Sequence, residues 1–365
     1  MKATIIANPE AGQHAPMDDI LEVVDLLREH GIEVASVDTT LGPTDATTFA
    51  RRAAADGVDL VFLVGGDGTI AEVVDGLVGS DTALAVLPGG SGNVFARQLN
   101  LPVPGSMYAK PIVESARLLL GGQIRRVDVG RMTLGGGRGP VHHFLCWGGV
   151  GFDAAVNRNV AADKDIKRWL GNPLAFLVTT FMTLSDWRGT VARVRIDGHP
   201  APASQLNAKP GGSGVRRRMV MLVASNIQIY GLSWRLAQHA KIDDGWLDVY
   251  GFRGNGAFRT FVHGIKLLVA RHIDDPEVDI YRARRVEIRT ARRLPVHVDG
   301  DCVGETPVVI EIVPRALNLL APPGAPASLF VDPEGLAPPP QSLWDWMQRM
   351  ARDVQNVFKD RNGPT

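Results

Sequence analysis

The sequence predicts an α/β nucleotide-binding domain built on a parallel sheet, followed by a second, mostly β domain. Three observations predict it. Short apolar runs alternate with helical patterns over the first third, strand-like runs dominate after about residue 122, and glycine-rich turns close the early apolar runs.

In the first domain, expected over residues 1–122, apolar runs at 4–7, 34–37, 60–64 and 84–87 are each followed by a helical pattern, at 17–30, 44–55, 70–78 and 94–99. This is the βαβ rhythm, and continuous apolar strands of this kind are buried on both faces of a parallel sheet. Ligands of such sheets sit beyond the carboxyl ends of the strands. Those ends carry Asn8-Pro9, Gly65-Gly66-Asp67-Gly68-Thr69 and Pro88-Gly89-Gly90-Ser91-Gly92-Asn93.

The second domain, a β-rich acceptor domain over residues 123–321, rests on runs at 127–132, 191–196, 219–224, 249–252, 286–290 and 308–313 with few helical patterns between them. Its last segment is free to return to the first domain. Residues 201–218, ending in Arg216-Arg217-Arg218, read as a loop insertion, either a solvated surface or a docking site for anionic lipid. The proline-rich residues 322–341 read as a semi-rigid linker. Beyond them Trp344, Met347, Ala351, Val354 and Phe358 share one face of an amphipathic helix over 342–360, which would dock on its own chain, on a second copy in a homodimer, or at a bilayer interface.

Composition narrows the function classes. The 39 basic and 39 acidic residues cancel, so no nucleic-acid partner is expected and any attraction to anions must be local. Two cysteines, Cys146 and Cys302, lie far apart without metal-ligand spacing, which fits a reducing compartment and argues against a disulfide framework or zinc site. The apolar run at 174–184 is broken by three threonines and falls short of the ~20 residues of a spanning helix. A cytoplasmic protein is expected, with peripheral contact at the inner membrane face open to it.

The chemistry lies in the turns. Glycines at 65, 66 and 68 let the backbone approach a ligand, and their N–H groups with the following helix N-terminus form an anion site. Asp67 in that turn would repel a naked phosphate, so it points to magnesium-bridged phosphates or to a structural bond within the loop. A single glycine-rich turn is more simply a tight turn. The second loop, Pro88 to Asn93, again follows an apolar strand and opens a helix, and Asn8-Pro9 closes another strand. Together they outline one wall of a nucleotide cleft.

These motifs, with Ala96-Arg97, Asp128-Val129-Gly130, Gly149-Val150-Gly151-Phe152-Asp153, Asp243-Asp244-Gly245-Trp246-Leu247-Asp248 and Val298-Asp299-Gly300-Asp301 in order, resemble the catalytic domain of diacylglycerol, sphingosine and ceramide kinases and their bacterial lipid-kinase relatives. The resemblance covers about residues 1–320 and implies a lipid substrate, with ATP and Mg2+ as cofactors. It implies that Asn8, Thr40, Gly65, Gly66, Asp67, Gly68, Thr69, Ile70, Ser91 and Asn93 serve the nucleotide, Ser91 standing where the family usually has Thr. It also implies a magnesium site of the Asp244 side chain with the Lys241 and Trp246 carbonyls, oxygen ligands suited to a hard cation; the bare residues read equally as a β-turn. Asp301 stands where the family has a glutamate acting as general base. With Asp67 it makes the expected catalytic pair, although its shorter side chain withdraws the oxygens by about 1.5 Å. Asp128 and Asp153 read either as a supporting carboxylate network or as turn caps, and an apolar stretch including Trp169, Leu170, Leu174, Phe176, Leu177, Phe181 and Trp187 reads as core or as lining for a lipid tail. Two rival readings stay open: an NAD kinase-like enzyme, which shares the first loop, and a nucleotide- or lipid-binding regulator impaired by the Glu-to-Asp change.

Overall fold

Short runs rich in Val, Ile, Leu and Ala build the first lobe. In the computed structural model, which describes residues 1–10, 16–162, 179, 180, 182–200, 215–231, 234–332 and 334, these runs become β1 (Lys2–Ala7), β2 (Glu33–Thr39), β3 (Leu60–Gly65) and β4 (Ala83–Pro88). They pair in parallel in the order β4-β3-β1-β2. Every residue of β3 and β4 is buried, whereas β2, at the edge, alternates. Helices α1 (Met17–Glu29), α2 (Asp45–Ala55), α3 (Asp67–Leu77), α4 (Val94–Gln98) and α5 (Pro111–Leu120) connect and cover the strands, α1 packing on α5 and α2 on α3.

The second lobe holds β5 (Gln123–Thr133), β6 (Val141–Phe144), β7 (Trp147–Gly151), β8 (Thr190–Pro200), β9 (Val215–Ser225), β10 (Ile229–Tyr230), β11 (Trp234–Arg235), β12 (Leu247–Arg253), β13 (Val278–Thr290), β14 (Pro295–Val298), β15 (Asp301–Glu305) and β16 (Val308–Ala321). The pairing within it is antiparallel, along the path β15-β14-β7-β9-β12-β13-β16. β16 joins the lobes: its first half lies against β13, while Asn318 and Leu319 pair in parallel with β4. β5 follows β16 along both halves across a bulge after Val313, and one apolar core runs through both lobes.

Several features differ from the sequence reading. Arg216, Arg217 and Arg218 are not in a loop but in β9, held by ladder bonds to β8, while residues 201–214 lie outside the described residues. The start of the proline-rich stretch is core, not linker: a 3-10 turn, Ala327–Leu329, buries Ala325, Leu329 and Phe330 completely. The helices Phe152–Ala162 and Gly256–Leu268 are among those that interrupt the β domain. The expected helix at 342–360 lies outside the described residues, as do Trp169, Leu170, Leu174, Phe176, Leu177 and Phe181.

Candidate active site

The two glycine turns stand side by side because Gly65 and Pro88, the last residues of β3 and β4, are register partners. The Gly89 amide donates to the Gly65 carbonyl at 2.9 Å. A Cβ on Gly90 would stand 2.5 Å from the Gly66 Cα, so the loops touch backbone to backbone and a side chain at Gly90 would push them apart. Glycine is therefore demanded by loop-on-loop contact before any ligand is considered.

Asp67 opens α3 and reaches across to the second loop. Its Oδ2 accepts the Val94 amide at 3.0 Å and its Oδ1 the Phe95 amide at 3.1 Å, satisfying donors at the start of α4 that have no intrahelical partner. Burial raises the Asp67 carboxyl above its ordinary pKa, the two amides pull it back, and the charge of Asp301 adds to the rise. Asn93, at φ +49°, accepts the Gly90 amide at 2.9 Å and donates to the Gly90 carbonyl at 2.5 Å. Its carboxamide therefore shapes the loop. Arg97 Nε donates to the Gly92 carbonyl at 3.0 Å, and Asn8 Nδ2 to Thr69 Oγ1 at 2.9 Å. Thr40 is buried just after β2, its amide donating to the Ala7 carbonyl at 2.9 Å. Ile70 is fully packed in the core and anchors α3, while Ser91 is exposed at the tip of the second loop. The N-cap of α3 is Gly66, which has no side chain to occupy the first-turn amides. That end of the helix is suited to an anion.

Asp301 comes to these loops from the other lobe. It is the first residue of β15, and a Cβ on Gly68 would meet Asp301 Oδ2 at 2.5 Å, so the carboxylate lies on the first turn of α3. The shorter side chain reaches the glycine loop all the same. Glu72, one turn further along α3, has its carboxyl raised by burial and then by the charge of Asp301.

Sequence reasoning missed what holds Asp301 there. Asp299, at φ +47°, accepts the amides of Leu145 at 2.9 Å, Cys146 at 2.9 Å and Trp147 at 2.8 Å. Burial nonetheless pushes its carboxyl up to about 7, against those three amides. The Gly300 amide donates to His297 Nδ1 at 3.2 Å, which leaves Nε2 as the protonated nitrogen donating to Asp153 Oδ2 at 2.9 Å. Asp153 also accepts the Tyr230 hydroxyl at 2.9 Å and the Ala154 amide at 2.8 Å, so it satisfies one first-turn amide of its own helix and belongs to a buried network. A Cβ on Gly149 would lie 2.1 Å from His297 Nε2, which is why Gly149 is glycine. His297 sits in a four-residue strand, and only the strand pairing reveals its partners.

Asp128 is fully buried and accepts the amides of Arg315 at 2.7 Å and Gly245 at 2.6 Å, clasping the β16 bulge to the Asp244-Gly245 turn. In that turn Asp244 Oδ1 accepts the Trp246 amide at 3.0 Å and its Oδ2 pairs with the Arg282 guanidinium. Lys241 Nζ donates to the Phe330 carbonyl at 2.6 Å. Cys146 is a buried thiol, its pKa raised by burial, and Cys302 is exposed.

At the other end of β15, beside Glu305, lies a cavity of about 530 Å3 lined by Met182, Trp187, Leu294 and Pro295 together with Arg158 and Arg293. Four strand steps, ~13 Å, separate it from Asp301.

Residues 2–132 match the diacylglycerol kinase catalytic domain, and residues 148–321 match the YegS C-terminal NAD kinase beta sandwich-like domain. A Chromohalobacter salexigens protein named "Probable lipid kinase YegS-like" is 30% identical over 322 residues, covering 86% of this chain and 92% of its own. The chain belongs to the diacylglycerol kinase and YegS-like lipid kinase family. Within this lipid kinase family, a Mycobacterium tuberculosis protein named diacylglycerol kinase is 26% identical over 322 residues, 88% of this chain and 95% of its own. A crystal structure of a diacylglycerol kinase from Bacillus anthracis str. Sterne shares the fold, with a TM-score of 0.60 and 21% identity over 88% of this chain and 97% of that one. Membership makes the chain a phosphotransferase with an alcohol group as acceptor.

The lipid kinase family implies a divalent cation. The set that the family resemblance implies, Asp244 with the Lys241 and Trp246 carbonyls, has the right oxygen chemistry, but Asp244 is already neutralised by Arg282 and bonded to the Trp246 amide. A resident cation does not fit there while that pair stands. Among the described residues no three His, Cys, Asp or Glu side chains are grouped to hold a metal.

Proposed function

We propose that this lipid kinase transfers the γ-phosphoryl group of ATP, bound as its magnesium complex, to the hydroxyl of a lipid such as diacylglycerol or a sphingoid-related lipid. The carrying observation is the meeting of Asp301, from the second lobe, with the first turn of α3 beside two touching glycine loops. Phosphoryl transfer asks chiefly for positioning and charge neutralisation, with modest help from a base.

In this reading the triphosphate lies along the amides of Gly66 to Thr69 and Ser91 to Asn93, at the open N-terminus of α3, while the Gly89 and Gly90 amides hold the loop itself. Asp67 keeps the loops in register by holding α4. Asp301 accepts the proton of the lipid hydroxyl as its oxygen bonds to the γ-phosphorus, the bond to the β-phosphate oxygen breaks, and ADP leaves. Asp299 and His297 are positioning residues that fix the turn carrying Asp301. The cavity beside Trp187 is the slot for the acceptor, met at a membrane surface.

The experiment is transfer from radiolabelled ATP to diacylglycerol, sphingosine, ceramide and phosphatidylglycerol, alongside NAD. Label in a lipid is expected. Label in NAD alone would overturn the lipid reading, and nucleotide binding without transfer to any acceptor would favour a regulator.

A further inference from the structure

The helix Gly256–Leu268 is built inside out. Its buried residues are Thr260, His263 and Leu267, and polar contacts tie it down: Arg259 pairs with Glu277 at 2.5 Å, Lys266 with Asp275 at 2.9 Å, and His263 Nε2 with the Arg253 carbonyl at 2.7 Å. Its large apolar side chains face solvent. Phe258 is 78% exposed, Phe261 49%, Ile265 44% and Leu268 52%, and the steps of three, four and three place them in one stripe, with Val269 continuing it. A helix serving the core alone would carry these residues inward.

A band of arginines covers the neighbouring sheet. In the ladder β9-β8-β13, Arg193 has Arg216 as its partner on one side and Arg289 on the other, three like charges abreast. Arg195 and Arg218 lie two residues along the same face, all five are exposed, and none is ion-paired among the described residues. Like charges directly opposite one another destabilise a sheet, so the row costs stability unless an anionic partner offsets it.

The two features and the cavity share one edge of the second lobe. The Gly254 amide, just before the helix, donates to the Arg218 carbonyl at 3.0 Å. Gly189 packs so closely that a Cβ on it would lie 2.7 Å from the Gly254 carbonyl oxygen, and Arg292, at the cavity wall, donates to the Arg188 carbonyl at 2.8 Å.

We propose that this edge docks on an acidic phospholipid bilayer, the stripe Phe258, Phe261, Ile265 and Leu268 entering the headgroup boundary while the arginine row engages lipid phosphates, so that the cavity mouth faces the membrane. An apolar stripe beside a row of cations, of which only Arg195 faces an acidic ladder partner, Glu287, is the composition of interfacial surfaces. The choice of a bilayer over another anionic partner rests on the lipid-kinase reading.

Flotation of the full chain with phosphatidylcholine vesicles, with and without phosphatidylglycerol, tests it. The triple variants F258A/F261A/I265A and R193Q/R216Q/R289Q should each bind phosphatidylglycerol vesicles at least ~10-fold more weakly than the parent. The arginine variant should also lose most of the salt dependence. Transfer to a water-soluble short-chain acceptor should be unchanged in both, which separates docking from the kinase reading; no transfer by the parent would indict that reading alone. Parent-like flotation of the apolar variant overturns the proposal. So does a dimer that becomes monomeric in that variant with vesicle binding intact, tighter binding of the parent to a DNA duplex than to vesicles, or flotation only after residues 342–365 are removed.

Discussion

Asp301 has one methylene fewer than the glutamate that the family resemblance leads one to expect, yet its Oδ2 sits against Gly68 because Asp299 and His297 fix the preceding turn. A base acts on turnover more than on nucleotide affinity. Asp301→Asn should therefore lower kcat by about 100-fold or more while the KM for ATP stays within about threefold, and Asp301→Glu should retain or raise kcat. Steady-state kinetics with varied ATP measures both; an Asn variant as fast as the parent removes the base assignment. At this scale the sequence was legible in part. Asp67 and Asp301 stand in recognisable motifs, but the partners of Asp67 lie 27 and 28 residues away. Those of Asp299 lie about 150 residues upstream, and only the pairing of β14 with β7 brings them together.

At the scale of elements, the loops after β3 and β4 act as one unit because their glycine backbones touch. Gly90→Ala places a methyl 2.5 Å from the Gly66 Cα, so it should lower stability by ~1–3 kcal/mol and weaken ATP binding together. Denaturant unfolding and nucleotide titration of the one variant check this, and normal ATP affinity would detach the loop contact from the site. The junction of β12 and β13 carries a pH signature. Burial raises the Asp248 carboxyl to about 7, Arg282 opposing and Asp244 adding to the rise. Because the folded pKa exceeds the unfolded one, the contribution of Asp248 is complete below pH ~4 and is lost as pH rises through about 7. Asp248→Asn should flatten that decline, as unfolding midpoints at pH 5 and pH 8 would show; an unchanged slope would mean that Asp248 titrates normally. The parallel strands were readable because they are continuous apolar runs. The helix Gly256–Leu268 was not, since three glycines dilute the helical pattern at Gly254, Gly256 and Gly264. β14 and β15, four and five residues long, are too short to read without their neighbours.

Across the whole molecule, β16 makes the two lobes one body: it completes the second lobe beside β13 and enters the first beside β4. Asp128 pins its bulge, so the distance between Asp301 and the glycine loops is set by a continuous sheet and core rather than by a free hinge. The two-domain character was visible as a change of hydrophobic rhythm near residue 122. The return of the last strand could only be left open, because strand order is a property of pairing and not of composition. The most direct measurement is a crystal structure with magnesium and a non-hydrolysable ATP analogue. The triphosphate is expected along the loops Gly65 to Thr69 and Gly89 to Asn93, with an Asp301 oxygen within about 6 Å of the γ-phosphorus, room for one hydroxyl between them. A nucleotide bound away from those loops, or an Asp301 carboxylate turned from the γ-phosphate, would contradict it.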